Sequence, residues 1–173
     1  MSNDKTYNVL FLCTGNSARS IMAEALLNTL GKGRFHAYSA GSHPGGTVHP
    51  LAIEQIKHTG YEIANLRSKS WDEFAEPGAP KMDFIITVCD NAAGEVCPIW
   101  PGQPVSAHWG FADPASATGT DDEKRAVFSA IAHQISSRIR LFNQLPLHTL
   151  EKNAIRREMV AIGAQPVDAM PTN

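Results

Sequence analysis

A cysteine and an arginine bracket five residues in Cys13-Thr14-Gly15-Asn16-Ser17-Ala18-Arg19, and Ser20 follows directly. The segment lies between a short apolar run, Val9-Leu10-Phe11-Leu12, and a helical pattern. A loop in that place can wrap a tetrahedral oxyanion with successive backbone N–H groups, and the helix start beyond it adds its positive dipole end. Thr14, Gly15, Asn16, Ser17, Ala18, Arg19 and Ser20 are therefore the expected anion-binding residues. Gly15 lets the backbone come close without a Cβ clash, and the planar fork of Arg19 can clamp two oxygens at once. Cys13 sits at the base of the same loop. The N–H groups and the guanidinium favour its thiolate, so its pKa is expected well below the ordinary thiol value of about 8.5. Ser20 can donate a further hydrogen bond to the sulfur. A plain buried cysteine followed by a serine-capped helix explains Cys13 and Ser17. It gives no reason for Gly15 or Arg19.

The elements that must position this loop follow from punctuation and periodicity. Tyr7 to Leu12 is an expected strand, ended by Thr14-Gly15-Asn16-Ser17. From Ser17 a helix runs to Leu30, with Gly31 and Gly33 closing it. Phe35 to Ala40 is a second strand, and Leu51 to Lys57 lies on a helix closed by Gly60. A short helix covers Ser70 to Ala75. Phe84-Ile85-Ile86-Thr87-Val88, β-branched and apolar on both faces, reads as a central parallel strand with Cys89 at its end. Gln103 to Ala107 gives a fourth strand. Asp121 to Leu145 is a long amphipathic helix with Val127, Ile131, Ile135 and Ile139 in register and acidic residues at its start. Strands alternating with helices imply an α/β fold, a central four-stranded parallel sheet between two helical layers. Residues 1–145 form the expected catalytic domain. After Pro146, residues 146–173 form a C-terminal extension, helical over His148 to Ile162 and then disordered.

The 173 residues carry 15 basic and 17 acidic side chains, a formal charge of −2. That balance offers no global field to draw the protein onto nucleic acid or anionic lipid. Three cysteines are too few for a disulfide scaffold, and the early apolar run is too short for a membrane span or signal-peptide core. The expectation is a soluble, cytoplasmic protein in a reducing compartment. Cys89, Cys97 and His108 match no zinc spacing, and no bound metal is expected.

Beyond the cysteine loop, the chain carries Ser39-Ala40-Gly41-Ser42, Val88-Cys89, and His108-Trp109-Gly110-Phe111-Ala112-Asp113-Pro114 in that order. With these it resembles the low-molecular-weight protein tyrosine phosphatase family, and within it the arsenate reductase branch, from about Asn8 to Leu145. The resemblance implies the phosphotyrosine phosphatase I fold and makes Asp113 the general acid that protonates a departing oxygen. Phosphatases of the family usually carry a tyrosine directly after the Asp-Pro; here stands Ala115. Gly45 to Pro50 lacks the family's aromatic wall, and Ala18 replaces a second loop cysteine. A small inorganic oxyanion needs no ring pocket, and arsenate, with phosphate or sulfate as mimics, fits the same cradle.

By resemblance to the thioredoxin-coupled arsenate reductases, turnover is a three-cysteine relay. Cys13 attacks arsenate, Cys89 displaces arsenite and forms a disulfide with Cys13, and Cys97 then attacks Cys89. The Cys89–Cys97 disulfide goes to an external thiol reductant, thioredoxin foremost or a glutaredoxin-type donor, and no cofactor is bound. Cys89 and Cys97 stand eight positions apart, one more than is usual in the relatives. A helix between them would separate their Cα atoms by roughly 12 Å, whereas a disulfide needs about 4.4–6.8 Å. If Asp90 to Val96 is helical when reduced, it must loop out or unwind on oxidation. In some relatives a potassium ion sits beneath the loop on residues matching Asn16, Glu24 and Ser39. A further aspartate of that pattern is replaced near Ser70, so the ion is not expected, and Asn16 and Ser39 are expected to bond to each other. The alternative activity is hydrolysis of phosphomonoesters through a cysteinyl-phosphate. A non-enzymatic oxyanion sensor would leave Asp113 and Cys97 unexplained.

Overall fold

The computed structural model describes residues 5–89 and 103–165. Strand β1 (Tyr7–Cys13) leads through the cysteine loop into helix α1 (Arg19–Leu30), followed by β2 (Phe35–Gly41), α2 (Pro50–Lys57), the single turn α3 (Asp72–Ala75) and β3 (Phe84–Thr87). Then come β4 (Val105–His108), a 3₁₀ turn at Pro114–Ser116, the long α4 (Asp121–Asn143) and α5 (Lys152–Gly163). The strand order is β2-β1-β3-β4, and every pairing is parallel. The expected four-stranded α/β/α architecture is what forms, and element ends differ from expectation by only a few residues.

Alternation along β1 explains the two layers, because successive side chains leave a strand on opposite faces. Val9, Phe11 and Cys13 enter the larger core, shared with α1, α4 and α5. Leu10 and Leu12 enter a smaller one, closed by Trp71 just before α3, by Phe74 within it and by Met82. Burial on both faces is why β1 and β3 read as unbroken apolar runs.

The long helix starts on a capping box: Thr120 accepts from Glu123 N–H, and the Glu123 carboxylate accepts from Thr120 N–H. Its far end is closed by Arg34, whose guanidinium donates to the carbonyls of Asn143 and Leu145. After Pro146 the chain packs back on the body. Met159 and Ile162 of α5 are buried in the larger core, and the helix lies against β4. No helix among the described residues is long and apolar enough to cross a membrane.

Candidate active site

The cysteine loop is held from outside by its carbonyl groups. Thr14 O accepts from His43 N at 2.9 Å, Gly15 O from Gly45 N at 3.1 Å and Ser68 Oγ at 3.1 Å, and Ser17 O from His49 N at 2.9 Å. In a trans peptide the N–H points opposite to the C=O. Turning these carbonyls outward therefore turns the N–H groups of Gly15, Asn16 and Ala18 inward, as an oxyanion cradle requires. Helix α1 opens on Ala18, with no side-chain cap and no acidic residue in its first turn. Its first amides are thus left for an anion. The cap position is Ala18, not Ser17, so a serine-capped helix does not describe this segment.

Asn16 is the keystone. It is fully buried and adopts a left-handed backbone, φ +46°, which asparagine tolerates better than most residues. Its side-chain amide donates to Ser20 Oγ at 2.8 Å and its carbonyl accepts the Lys69 N–H at 2.9 Å. The expected Asn16–Ser39 bond is replaced by these two. Gly15 was expected to prevent a clash, yet a Cβ there would meet protein only at 4.0 Å. The tight approach is at Gly41, where a Cβ would lie 2.5 Å from Thr14 O and 2.9 Å from Cys13 O.

Cys13 is 5% exposed, and Cys89 lies beside it at the same edge of the sheet. Thr14 reaches across, with its N–H 3.3 Å and its hydroxyl 3.6 Å from Cys89 Sγ. The expected fall in the Cys13 pKa is not what this arrangement produces. The hydrogen bond with Cys89, and then burial, push the thiol up, against the Arg19 guanidinium and the Gly15 N–H that pull it down. The sequence reading took account of the loop's own donors but not of the second thiol or the desolvation.

Arg19 donates to Phe111 O at 2.9 Å, and its other terminal nitrogen stands 3.8 Å from Asp113 Oδ2. Asp113 serves two ends: Oδ1 accepts from Ala115 N–H and caps the 3₁₀ turn, while Oδ2 faces Arg19. Cys13, Arg19, Asp113 and Cys89 are thereby brought together around one loop. Cys97, and the redox-coupled change expected between Cys89 and Cys97, lie outside the described residues.

Beneath the loop the sequence reading missed Lys69. Its ammonium donates to Ser39 Oγ at 3.4 Å and Arg67 O at 3.0 Å, and stands 3.8 Å from Glu24 Oε1, while Ser39 donates to Glu24 at 2.6 Å. These residues do not fit a potassium ion, because a covalently held cation already occupies their midst. Its only sequence signal is a lysine in a polar stretch beside Ser68 and Ser70. Arg138 was missed too, although an arginine seven residues after Ile131 falls on the apolar stripe of α4.

Residues 8–156 match the model of the low molecular weight phosphotyrosine protein phosphatase family. An arsenate reductase of Halalkalibacterium halodurans is 41% identical over 134 residues, covering 78% of this chain and 93% of the relative. A solved arsenate reductase in the phosphate-binding state superposes with a TM-score of 0.64 at 28% identity, over 80% of this chain and 97% of that one. A thioredoxin-dependent arsenate reductase of Corynebacterium glutamicum gives a TM-score of 0.55 at 27% identity, over 78% of this chain. There the match spans only 59% of the other protein. With the cysteine loop, the parallel sheet and these likenesses in agreement, the chain belongs to the low molecular weight phosphotyrosine protein phosphatase family.

Proposed function

We propose that this protein is a cytoplasmic arsenate reductase serving arsenic detoxification, with Cys13 as nucleophile, Arg19 as oxyanion clamp, Asp113 as general acid, and Cys89 and Cys97 as the relay. The observation that carries the reading is the second thiol. A phosphatase needs one cysteine under the cradle, whereas here Cys89 is hydrogen-bonded to Cys13 and tethered by Thr14. Two reduced thiols in contact suit a reducing compartment.

The steps balance as follows. Cys13 passes its thiol proton to an oxygen of the entering arsenate dianion and, as thiolate, attacks arsenic so that an S–As bond forms; the departing hydroxyl takes a proton from Asp113 and leaves as water. The Cys89 thiolate then attacks the Cys13 sulfur. An S–S bond forms, the S–As bond breaks, and its electron pair stays on arsenic, which leaves as arsenite. Cys97 attacks Cys89, freeing Cys13 as thiolate, and an external dithiol reduces the Cys89–Cys97 bond. Thioredoxin is the favoured donor, in keeping with the thioredoxin dependence of the Corynebacterium relative.

Arsenite release is measured for the wild type and for Cys13→Ser, Cys89→Ser and Cys97→Ser, with a thioredoxin or a glutathione–glutaredoxin system. The Cys13 variant should release none; the Cys89 variant should stall at the Cys13–arsenic adduct without releasing arsenite, and the Cys97 variant should stop after about one turnover. Sustained turnover of a phosphoester by both of those variants, without arsenite formation by the wild type, would replace this reading with the phosphatase one.

A further inference from the structure

We infer that helix α5 is a working part of the active site and that Arg138 is the positioning residue through which it acts, the two together fixing the loop that carries Asp113. The inference rests on the reading of Asp113 as general acid given above.

Four successive residues ahead of Asp113 are each tied to a different anchor. His108 O lies against Gly163 of α5 so closely that a Cβ there would sit 2.3 Å from it. Trp109, fully buried, donates its indole N–H to Met159 O of α5 at 3.0 Å. Gly110 O accepts from Arg138 Nη1 at 2.9 Å, and Phe111 O accepts from Arg19 Nη1 at 2.9 Å.

Arg138 joins these anchors to the end of α5. Its Nη2 donates to Gln165 O at 3.0 Å, and its guanidinium lies 4.7 Å from the Phe111 ring centroid. The residue is 6% exposed, pairs with no carboxylate among the described residues, and its Nε has no hydrogen-bond partner. A buried guanidinium without a counter-charge is costly. Two carbonyls and a ring face are its compensation, and all three belong to the acid loop or to the end of α5.

Two arginines thus grip adjacent carbonyls of one loop, Arg19 from within the site and Arg138 from behind it. An oxyanion in the cradle competes for the Arg19 fork, and Phe111 O then loses that donor. The grip of Arg138 and α5 remains. It acts on the position of Asp113 during proton donation and not on the anion cradle itself, which is held by Asn16, Ser68 and the segment after β2.

The test uses the full chain. Single-turnover arsenite release at saturating arsenate is measured for Arg138→Met, Arg138→Lys and Gly163→Val, each alone and combined with Asp113→Asn, beside the sulfate affinity read from protection of Cys13 against alkylation. Arg138→Met and Gly163→Val should each slow the chemical step by about tenfold or more while sulfate affinity holds, and Arg138→Lys should recover part of the loss. Neither should slow Asp113→Asn further, because a displaced acid loop costs nothing once the acid is gone. Multiplying losses in the double variants, a matching loss of sulfate affinity, or unchanged rates in both Arg138→Met and Gly163→Val would overturn the inference. If Arg138→Met does not fold, as a thermal melt would reveal, Gly163→Val and Arg138→Lys decide it on the same readouts. Full activity in Asp113→Asn would overturn the acid assignment instead. A loss there, with none in the Arg138 and Gly163 variants, would overturn this inference alone.

Discussion

Thr14 donates its backbone N–H to the sulfur of Cys89 at 3.3 Å, across 75 residues of sequence. The first residue of the oxyanion loop thereby holds the second thiol. The hydrogen bond with Cys89 in turn raises the pKa of Cys13.

Cys89→Ala removes the largest cause that raises Cys13 and leaves Arg19 and the Gly15 N–H, which lower it. The midpoint of the pH dependence of Cys13 alkylation by iodoacetamide should therefore move down relative to the wild type. An unmoved or higher midpoint would show that burial alone governs the thiol.

The raised Cys13 also shapes stability against pH. A thiol whose folded pKa lies above its unfolded value of about 8.5 keeps its proton in the native state to higher pH than in the unfolded chain. Its contribution is complete below that unfolded value and declines as pH rises toward the folded one. Urea midpoints measured at pH 8 and pH 10 should fall for the wild type, and fall less for Cys13→Ala. Equal falls would assign the loss to other groups.

Gly41→Ala places a methyl group 2.5 Å from Thr14 O and 2.9 Å from Cys13 O, both backbone atoms that cannot swing aside. The cost should be about 1–3 kcal/mol of stability, as for other overpacked positions. Calorimetry should show sulfate affinity falling by more than the melt suggests, because the displaced atoms carry the cradle. A variant with wild-type sulfate affinity would mean that β2 and not the loop absorbs the strain.

Lys69→Met leaves the mostly buried Glu24 carboxylate without its counter-charge. Removing one partner of a buried pair costs on the order of 3 kcal/mol. Burial already pushes the Glu24 pKa up, so in the variant the carboxyl gains most by protonation. Stability lost at pH 7 should then return in part toward pH 5, since a raised acid favours the folded state below its own value. The double variant Lys69→Met with Glu24→Gln should regain most of the loss at pH 7, and guanidinium titrations of the three proteins check both statements.

The chemistry-bearing loop was legible because its signals are local. Cys13 and Arg19 are fixed relative to each other by five intervening residues, and the turn residues Thr14 to Ser17 mark the apolar run before them as a strand that leads into α1. The stripe Val127, Ile131, Ile135 and Ile139 likewise named the buried face of α4 without any knowledge of its neighbours. Which groups meet across the sheet was decided by tertiary structure. The parallel pairing of β1 with β3 brings Cys89 against Thr14 and Cys13, and that contact reverses the direction in which the nucleophile's pKa moves. Lys69 under Asn16 looks in the chain like an ordinary solvated cation, and Arg138 behind the acid loop stands out only by falling on the apolar stripe of α4. Burial and a handful of carbonyls turn them into supports. Local order follows from backbone preference and periodicity, which neighbouring residues encode. Charge state and loop position depend on desolvation and on partners tens of residues away, and those exist only once the sheet and its helices have closed.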